Sequence, residues 1–335
     1  MIGKKLSHYE ILSKLGEGGM GEIWEAHDPR LERVVAIKLI PKHLSSDPTA
    51  RTRFVHEAKA ASSIEHANIC TIHEIDETPE GETFIVMPRY QGKPLSDLIT
   101  KGRLPLGEAL HIVEDLAGAL ADAHDNDIIH RDVKPANIII DQNGRPILLD
   151  FGLAKLSTLS QLTKTGTTLG TLAYMAPEQA AGGEVDGRAD LFSLGVILYE
   201  LVTGARPFTG DHDAAVLYSL AHQQAPPLAS HDASLPPVLQ AIIDRALAKE
   251  PKDRFASMHE FKDAVGELRL ELQMVSGSRS RVSSRTRPRP RWLALIAVVV
   301  LLGAVGGIFS LRNNKPNTSA DEIIMAVLPL KDLSR

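Results

Sequence analysis

The chain has a single cysteine, Cys70, which excludes a disulfide framework and any zinc or iron–sulfur site built from several cysteines. Basic residues are not in excess either: the net charge is −5, so no nucleic-acid partner is expected. Residues 1–12 contain no apolar stretch of the kind found in a signal peptide. The overall content of 43% hydrophobic and 24% charged residues is that of a globular protein, and excludes a wholly disordered or polytopic membrane chain.

Charge is distributed unevenly along the chain. Residues 278–335 carry 10 Lys+Arg and 3 Asp+Glu, so residues 1–277 carry the remaining 27 and 39 and have a net charge of −12. Residues 278–291 contain six arginines and no acid, and residues 292–311 then contain no charged side chain. Twenty residues at about 1.5 Å each span the roughly 30 Å core of a bilayer. A buried core helix is the alternative, but such helices rarely run this long without a charge. We therefore predict one transmembrane helix.

Because short arginine-rich flanks stay in the cytoplasm, we expect a single-pass protein of the cell membrane with residues 1–291 inside. Residues 312–335 would form a short tail outside, and the apolar run 323–330 resembles the first strand of a truncated ectodomain.

Composition also shifts within residues 1–291. Residues 1–90 read mainly as strands with one helix at 51–64, and helical spacing dominates from about residue 95. Two lobes followed by a disordered, basic linker are therefore predicted.

A glycine-rich turn lies near the N-terminus, where Gly16-Glu17-Gly18-Gly19-Met20-Gly21 fits G-x-G-x-x-G. This pattern alone is weak, since dinucleotide-binding folds share it. Those folds need a helix straight after the third glycine, whereas Glu22-Ile23-Trp24-Glu25-Ala26 alternates as a strand does. A glycine turn between two strands lets backbone N–H groups approach phosphate oxygens.

A lysine lies inside the apolar run Val34-Val35-Ala36-Ile37-Lys38-Leu39-Ile40, which reads as a strand. Its charge needs a partner among such neighbours, and we expect that partner to be Glu57 on the predicted helix.

The densest polar segment is His130-Arg131-Asp132-Val133-Lys134-Pro135-Ala136-Asn137, between two apolar segments. Asp150-Phe151-Gly152 and then Ala176-Pro177-Glu178 follow it. Taken together and in this order, the motifs of residues 9–270 resemble the protein kinase family. Lys134-Pro135 and Gly170-Thr171 are similar to its serine/threonine branch. The kinase, basic linker and single span together resemble bacterial transmembrane receptor-type kinases.

This resemblance implies an α+β, bilobal kinase fold followed by one transmembrane helix. The boundaries we expect are residues 1–90 for the N-terminal lobe, 91–272 for the C-terminal lobe, 273–291 for the linker, 292–311 for the span and 312–335 for the tail. The implied activity is phosphorylation of serine and threonine hydroxyls on proteins, with ATP and Mg²⁺ as cofactors.

The resemblance also implies a role for each site residue. Asp132 would accept the proton of the substrate hydroxyl, and Lys134 would neutralise charge on the transferring group. Asn137 and Asp150 would bind Mg²⁺. The nucleotide-binding residues would be Leu15, Gly16, Gly18, Gly21, Ile23, Ala36, Lys38, Glu57, Pro88, Tyr90 and Ile139, with Met87 as gatekeeper. At the hinge, the Pro88 carbonyl and the Tyr90 N–H would hydrogen-bond adenine, while Pro88-Arg89 replaces the commoner acidic residue.

Regulation follows from the same resemblance. Thr163 and Thr165 match positions that similar bacterial kinases autophosphorylate, and Arg131 is placed to meet the added phosphate. Independently of the resemblance, Gly303 and Gly307 form a G-x-x-x-G pair one turn apart in the predicted span, which favours a homodimer with phosphorylation in trans. Glu178 is expected to pair with Arg254 for structural reasons.

Two alternatives remain open at this point. One is a pseudokinase scaffold that binds ATP without turnover, although every catalytic position is filled. The other is a phosphotransferase acting on small molecules, although such enzymes usually lack a segment ending in Ala-Pro-Glu.

Overall fold

The computed structural model of this chain describes residues 1–18, 21–40, 62–78, 81–151 and 172–282, together with residues 52, 55, 58 and 59. The chain divides into two compact units, Met1–Ser276 and Gly277–Arg335. The predicted span 292–311, Glu57, Thr163 and Thr165 lie outside the described residues. Among the helices that are described, none is long and apolar enough to cross a membrane.

The N-terminal lobe is an antiparallel sheet with the strand order β1-β2-β3-β4-β6-β5. Its strands are β1 (Lys5–Leu6), β2 (Tyr9–Gly18), β3 (Gly21–Asp28), β4 (Arg33–Leu39), β5 (Glu74–Glu77) and β6 (Thr83–Pro88). The β-branched and aromatic residues of these segments favour strands. In β3 every second side chain from Trp24 to Asp28 is buried, whereas β4 and β6 are buried on both faces, between two apolar clusters. Positions 52, 55, 58 and 59 are helical, in agreement with the helix predicted over 51–64.

The C-terminal lobe begins with a small antiparallel sheet of order β7-β8-β9, from Gly92–Pro94, Ile138–Asp141 and Pro146–Leu148. Its helices are α1 (Leu95–Ile99), α2 (Leu106–Asp125), α3 (Pro177–Ala180), α4 (Gly187–Thr203), α5 (Asp213–His222), α6 (Pro237–Ala246) and α7 (Met258–Val282). The helical spacing of apolar residues in α2 predicts its buried face, which runs from Ala109 to Ala123.

Helix α4 is the centre of this lobe, and all of its residues from Ala189 to Val202 are buried. It begins where the Asp186 side chain accepts a hydrogen bond from the Arg188 N–H, and it ends at Gly204, whose φ of 76° suits glycine. A helix that is apolar on all sides has to be enclosed by others. Residues 191–201, which are apolar on nearly all sides, lie in such an enclosed helix.

The predicted start of the disordered linker differs from the structure. Helix α7 continues to Val282 and so includes residues 273–282, the first part of the range 273–291 that we predicted to be disordered. A helix that is anchored by packed residues such as Phe261 and Val265 extends at little cost, because each further residue adds one hydrogen bond. The remaining linker residues, 283–291, lie outside the described part.

We call residues 153–178, which end in Ala-Pro-Glu, the activation segment; a buried ion pair fastens its end to the lobe. The Arg254 guanidinium donates to Glu178 Oε1 at 2.8 Å and Oε2 at 2.7 Å, which confirms the predicted pair. The same guanidinium donates to the carbonyls of Ala248, Arg188 and Lys249, and its side chain has no exposed surface.

Replacing Arg254 with alanine should destabilise the protein strongly. The change leaves the Glu178 carboxylate and three carbonyls without their donor, and breaking a buried ion pair typically costs about 3–5 kcal/mol. The exposed pair between Arg145 and Asp141 is the matched control, and Arg145→Ala should cost about 0–1 kcal/mol. Urea unfolding of both variants measures the difference. Equal losses for the two variants would contradict the structural role of Arg254.

Candidate active site

The glycine-rich turn joins β2 to β3, as the alternating pattern after Gly21 predicts. Gly16 pairs with Ile23 and Gly18 pairs with Gly21 in the antiparallel register, while residues 19–20 lie outside the described part. A Cβ atom built on Gly16 would meet nothing within 4 Å, so the backbone here borders open space. Open backbone of this kind leaves room for phosphate oxygens next to N–H groups.

Lys38 reaches from the N-terminal lobe to the C-terminal lobe. Its Nζ lies 2.8 Å from Asp150 Oδ2, and the residue is only 5% exposed. The expected partner of Lys38, Glu57, lies outside the described residues, so that pairing stays a prediction. Asp150 follows β9 and has a φ of 54°, a left-handed conformation that is uncommon for residues other than glycine. The two charges that we expect to serve phosphates and metal therefore lie together.

Asp132 is held by two neighbours from its own loop. Lys134 Nζ lies 2.8 Å from Asp132 Oδ2, and Asn137 Nδ2 donates to the same oxygen at 3.0 Å and to the Asp132 carbonyl at 2.9 Å. A short 3₁₀ helix, Pro135–Asn137, turns the chain so that these three side chains converge. Asp132 is 4% exposed and its charge is compensated by Lys134.

Backbone contacts connect this cluster to the Lys38–Asp150 pair. The Leu149 N–H donates to the Asn137 carbonyl at 2.8 Å, directly before Asp150. His130 bridges the same segments: its Nδ1 accepts from the Asp132 N–H at 3.2 Å and its Nε2 lies 2.9 Å from the Leu149 carbonyl. Since Nδ1 accepts, Nε2 carries the proton and donates. Fully buried His130 is thus a positioning residue that fixes both ends of the site.

Asp190 is a site residue that the sequence analysis missed. Its carboxylate, on the buried helix α4, accepts from the N–H groups of His130 and Arg131, each at 2.8 Å, and lies 2.9 Å from His124 Nε2. Arg131 has a φ of 63°, a strained conformation that persists only when its surroundings enforce it. The signal was present, because an acid within a largely apolar, buried helix requires partners.

The end of the activation segment is tied to the same loop. Gln179 Nε2 donates to the Arg131 carbonyl at 3.0 Å, and Gln179 Oε1 accepts from the Ala176 N–H at 3.1 Å. Arg131 Nε is buried and has no hydrogen-bond partner among the described residues. An unpaired buried donor of this kind favours an acceptor from elsewhere in the chain.

The expected adenine pocket is partly assembled in one cluster. Ala36 and Met87 are direct partners across β4 and β6, and Ile23 and Tyr90 pack against the same buried group. Leu15, which is 39% exposed on β2, and Ile139 on β8 are not part of this cluster. Cys70 belongs to this cluster. Burial, together with the nearby charge of Asp150, raises the pKa of its thiol to about 12. Cys70 is therefore an unreactive packing residue.

These residues fit a nucleotide and its metal ion. Asn137 donates through Nδ2 to Asp132, which directs its acceptor Oδ1 away from that carboxylate. Asn137 and Asp150 thus offer one amide and one carboxylate oxygen donor. The described residues contain no group of three or more His, Cys, Asp or Glu side chains that could hold a metal by themselves. A small number of protein ligands is typical of a Mg²⁺ site, because this ion is usually bound through one or two carboxylates together with substrate phosphates.

Comparisons with known proteins agree with this geometry. Residues 9–265 match the family described as the protein kinase domain. The chain is 38% identical over 296 residues to the serine/threonine-protein kinase PknA of Mycobacterium tuberculosis, covering 87% of this chain and 67% of that protein. It is 39% identical over 266 residues to the serine/threonine-protein kinase PrkC of Bacillus subtilis, covering 78% of this chain and 41% of that protein.

Solved structures show the same relationship. The crystal structure of the PknI kinase domain of Mycobacterium tuberculosis matches with a TM-score of 0.65 and 32% identity, over 80% of this chain and 98% of that one. The small β-rich lobe and larger helical lobe described above are thus those of a kinase fold. The chain belongs to the protein kinase domain family and is a serine/threonine protein kinase.

Proposed function

We propose that this kinase transfers the terminal phosphoryl group of ATP, bound with Mg²⁺, to serine and threonine hydroxyls of proteins. The observation that carries the proposal is one continuous chain of contacts. It runs from Lys38 to Asp150, through the Leu149–Asn137 backbone bond, and on to Asp132 and Lys134. Phosphoryl transfer depends mainly on positioning and charge compensation, and this chain of contacts supplies both.

Each side chain has a task in the proposed reaction. Asp132 accepts the proton of the substrate hydroxyl as the hydroxyl oxygen attacks, and its hydrogen bond from Asn137 keeps the carboxylate oriented. Lys134, already beside Asp132, compensates negative charge on the transferred group. Lys38 would contact the α- and β-phosphates, and Asn137 and Asp150 would hold the metal. When bound, Mg²⁺ would supply positive charge that offsets the negative charge of the phosphates.

The two alternatives are less well supported. Nothing in the structure favours a scaffold without turnover. The four residues that such a scaffold could lose are all present and connected, namely Lys38, Asp132, Asn137 and Asp150. A small-molecule phosphotransferase has no need of a protein-docking segment. Here the end of that segment is anchored twice, by Glu178 to Arg254 and by Gln179 to the Arg131 carbonyl.

Asp132→Asn should abolish phosphoryl transfer and leave the fold intact. The amide keeps the shape of the carboxylate but accepts protons poorly, and loss of a general base typically costs about 10²–10⁴-fold in rate. The KM for ATP should stay near the wild-type value, because Asp132 contacts no nucleotide in the proposal. Asp244→Asn is the matched control, since Asp244 is exposed on α6 and accepts a hydrogen bond from Gln240.

The assay uses the full chain, Mg²⁺, ATP labelled at the terminal phosphate, and separate protein and metabolite fractions as acceptors. Label on serine or threonine of proteins supports the proposal. Label confined to small molecules, no transfer at all, or wild-type turnover by Asp132→Asn would each contradict it.

We further propose that the activation segment is autophosphorylated on Thr163 and Thr165. Support comes from the Arg131 side chain, whose buried Nε lacks a partner among the described residues while its backbone is fixed by Asp190 and Gln179. A phosphothreonine brings about −1.5 to −2 charge and three acceptor oxygens, which suit this donor.

Thr163→Ala combined with Thr165→Ala should lower kcat by about tenfold or more, the equivalent of one lost charge-assisted hydrogen bond. Thr100→Ala, at an exposed position after α1, is the control and should keep wild-type activity. Mass spectrometry of wild type and Asp132→Asn identifies the origin of the phosphate. Unmodified threonines in fully active wild type, or modified threonines in purified Asp132→Asn made without other kinases, would contradict autophosphorylation.

Membrane anchoring remains part of the proposal. Its support is the uncharged run 292–311 after six arginines, and the pair Gly303 and Gly307, which would let two helices approach closely. A cytoplasmic kinase lobe would have access to ATP, in keeping with the proposed reaction, and a dimer would favour phosphorylation in trans.

Protease added outside intact cells should therefore remove only the tail after residue 311. Digestion of residues 1–291 under these conditions would reverse the topology. In the same membranes, Gly303→Ile with Gly307→Ile should reduce cross-linked dimer by about tenfold, since the bulky side chains prevent close packing. Unchanged cross-linking would rule out the glycine contact.

A further inference from the structure

Three side chains connect the expected adenine-binding hinge, residues 88–90, to strands β2 and β3. We call these two strands the roof of the expected nucleotide pocket. Glu25 on β3 accepts on both oxygens, from Ser13 Oγ at 2.8 Å and from Arg89 Nε at 3.2 Å. Arg89 also donates through Nη1 to the Tyr90 carbonyl. We call Ser13, Glu25 and Arg89 the roof–hinge bridge. Its three members come from β2, β3 and the segment that follows β6.

The strand register places this bridge beside the pocket. Ser13 is opposite Glu25, Glu25 is opposite Ala36, and Ala36 is opposite Met87, so the four residues form one row across the sheet. Direct antiparallel partners project on the same face. Ala36 and Met87 lie in the cluster that also contacts Ile23, and Ile23 precedes Glu25 by two residues on the same face of β3. Glu25 therefore faces the nucleotide side of the sheet.

The residue after Arg89 is held from the other side. Tyr90 packs against the buried cluster that contains Cys70, and burial raises the pKa of the Tyr90 hydroxyl to about 12. Tyr90 thus packs against the cluster that holds Cys70, in the segment before β5, while Arg89 is bonded to Glu25 on β3. Two consecutive hinge residues are anchored to different parts of the lobe, and the peptide between them carries the N–H expected to bind adenine.

We propose that Arg89 and Glu25 are positioning residues that set the affinity for ATP, an inference that rests on the proposed use of ATP. The ion pair fixes the distance between the hinge groups, the Pro88 carbonyl and the Tyr90 N–H, and the roof residues Leu15 and Ile23. A pocket that is already ordered loses less entropy when its ligand binds, so its affinity is higher. A half-buried ion pair adds little to folding stability, so its main effect is on the geometry of the pocket.

Charge reversal and charge exchange test this proposal in the full chain. Arg89→Glu and Glu25→Arg each place like charges together, and each should raise the KM for ATP about fivefold or more, which corresponds to about 1 kcal/mol. The double variant that carries both changes restores opposite charges and should return the KM to within about twofold of wild type. The KM for a protein acceptor such as casein should stay at the wild-type value in all three. Arg103→Ala removes an exposed ion pair with Asp232 in the C-terminal lobe and should leave both KM values unchanged.

Binding of a fluorescent ATP analogue gives a second, turnover-independent readout and should show the same order of affinities. Single variants with unchanged ATP affinity would overturn the proposal. So would a double variant that recovers nothing, or a rise in the casein KM that matches the rise for ATP, because these indicate general damage. A wild-type chain that transfers no phosphate from ATP contradicts the proposed function instead, which is a separate result.

Discussion

The site depends on one buried carboxylate. Asp190 lies on the helix at the centre of the C-terminal lobe, and it accepts two backbone N–H groups from the loop that carries Asp132. These bonds hold Arg131 in a left-handed conformation that an unsupported arginine would avoid. The loop geometry is therefore set by the core of the lobe rather than by the loop itself. A charge inside an apolar helix is costly unless paired, and here its partners are the groups that need positioning.

A second layer of contacts extends this order to both lobes. His130 joins the segment of Asp132 to that of Asp150, and Lys38 joins Asp150 to the N-terminal sheet. Gln179 joins the end of the activation segment to the Arg131 carbonyl. Elements that are far apart in sequence thus converge on the residues between His130 and Asn137. Phosphoryl transfer requires charged groups that are held in fixed positions, and this arrangement provides them.

Local patterns predicted most of the fold, because they report directly on burial. The alternation in β3 and the apolar run of β4 identified strands, and the spacing from Ala109 to Leu120 identified α2. The ordered motifs also indicated the Glu178–Arg254 pair. Contacts that depend on tertiary distance were harder to predict. Asp190 is 60 residues from His130, and no local spacing connects them. Likewise, no local sequence pattern around Arg89 predicts its ion pair with Glu25, 64 residues earlier.

The linker boundary was wrong for a related reason. Composition favours disorder from residue 273, but helix α7 continues to Val282 because its earlier turns are held by the core. Composition describes what a segment would do alone, whereas a packed helix determines the conformation of the residues that follow it.

The environment of Cys70 has a practical consequence for chemical work on this enzyme. With burial raising its thiol pKa to about 12, almost none of this cysteine is thiolate at neutral pH, and the thiolate is the form that alkylating agents and peroxides attack. Cys70 should therefore resist both alkylation and oxidation. Since the chain has no other cysteine, one introduced at a chosen surface position would be the single reactive thiol, ready for spectroscopic probes without any prior substitution.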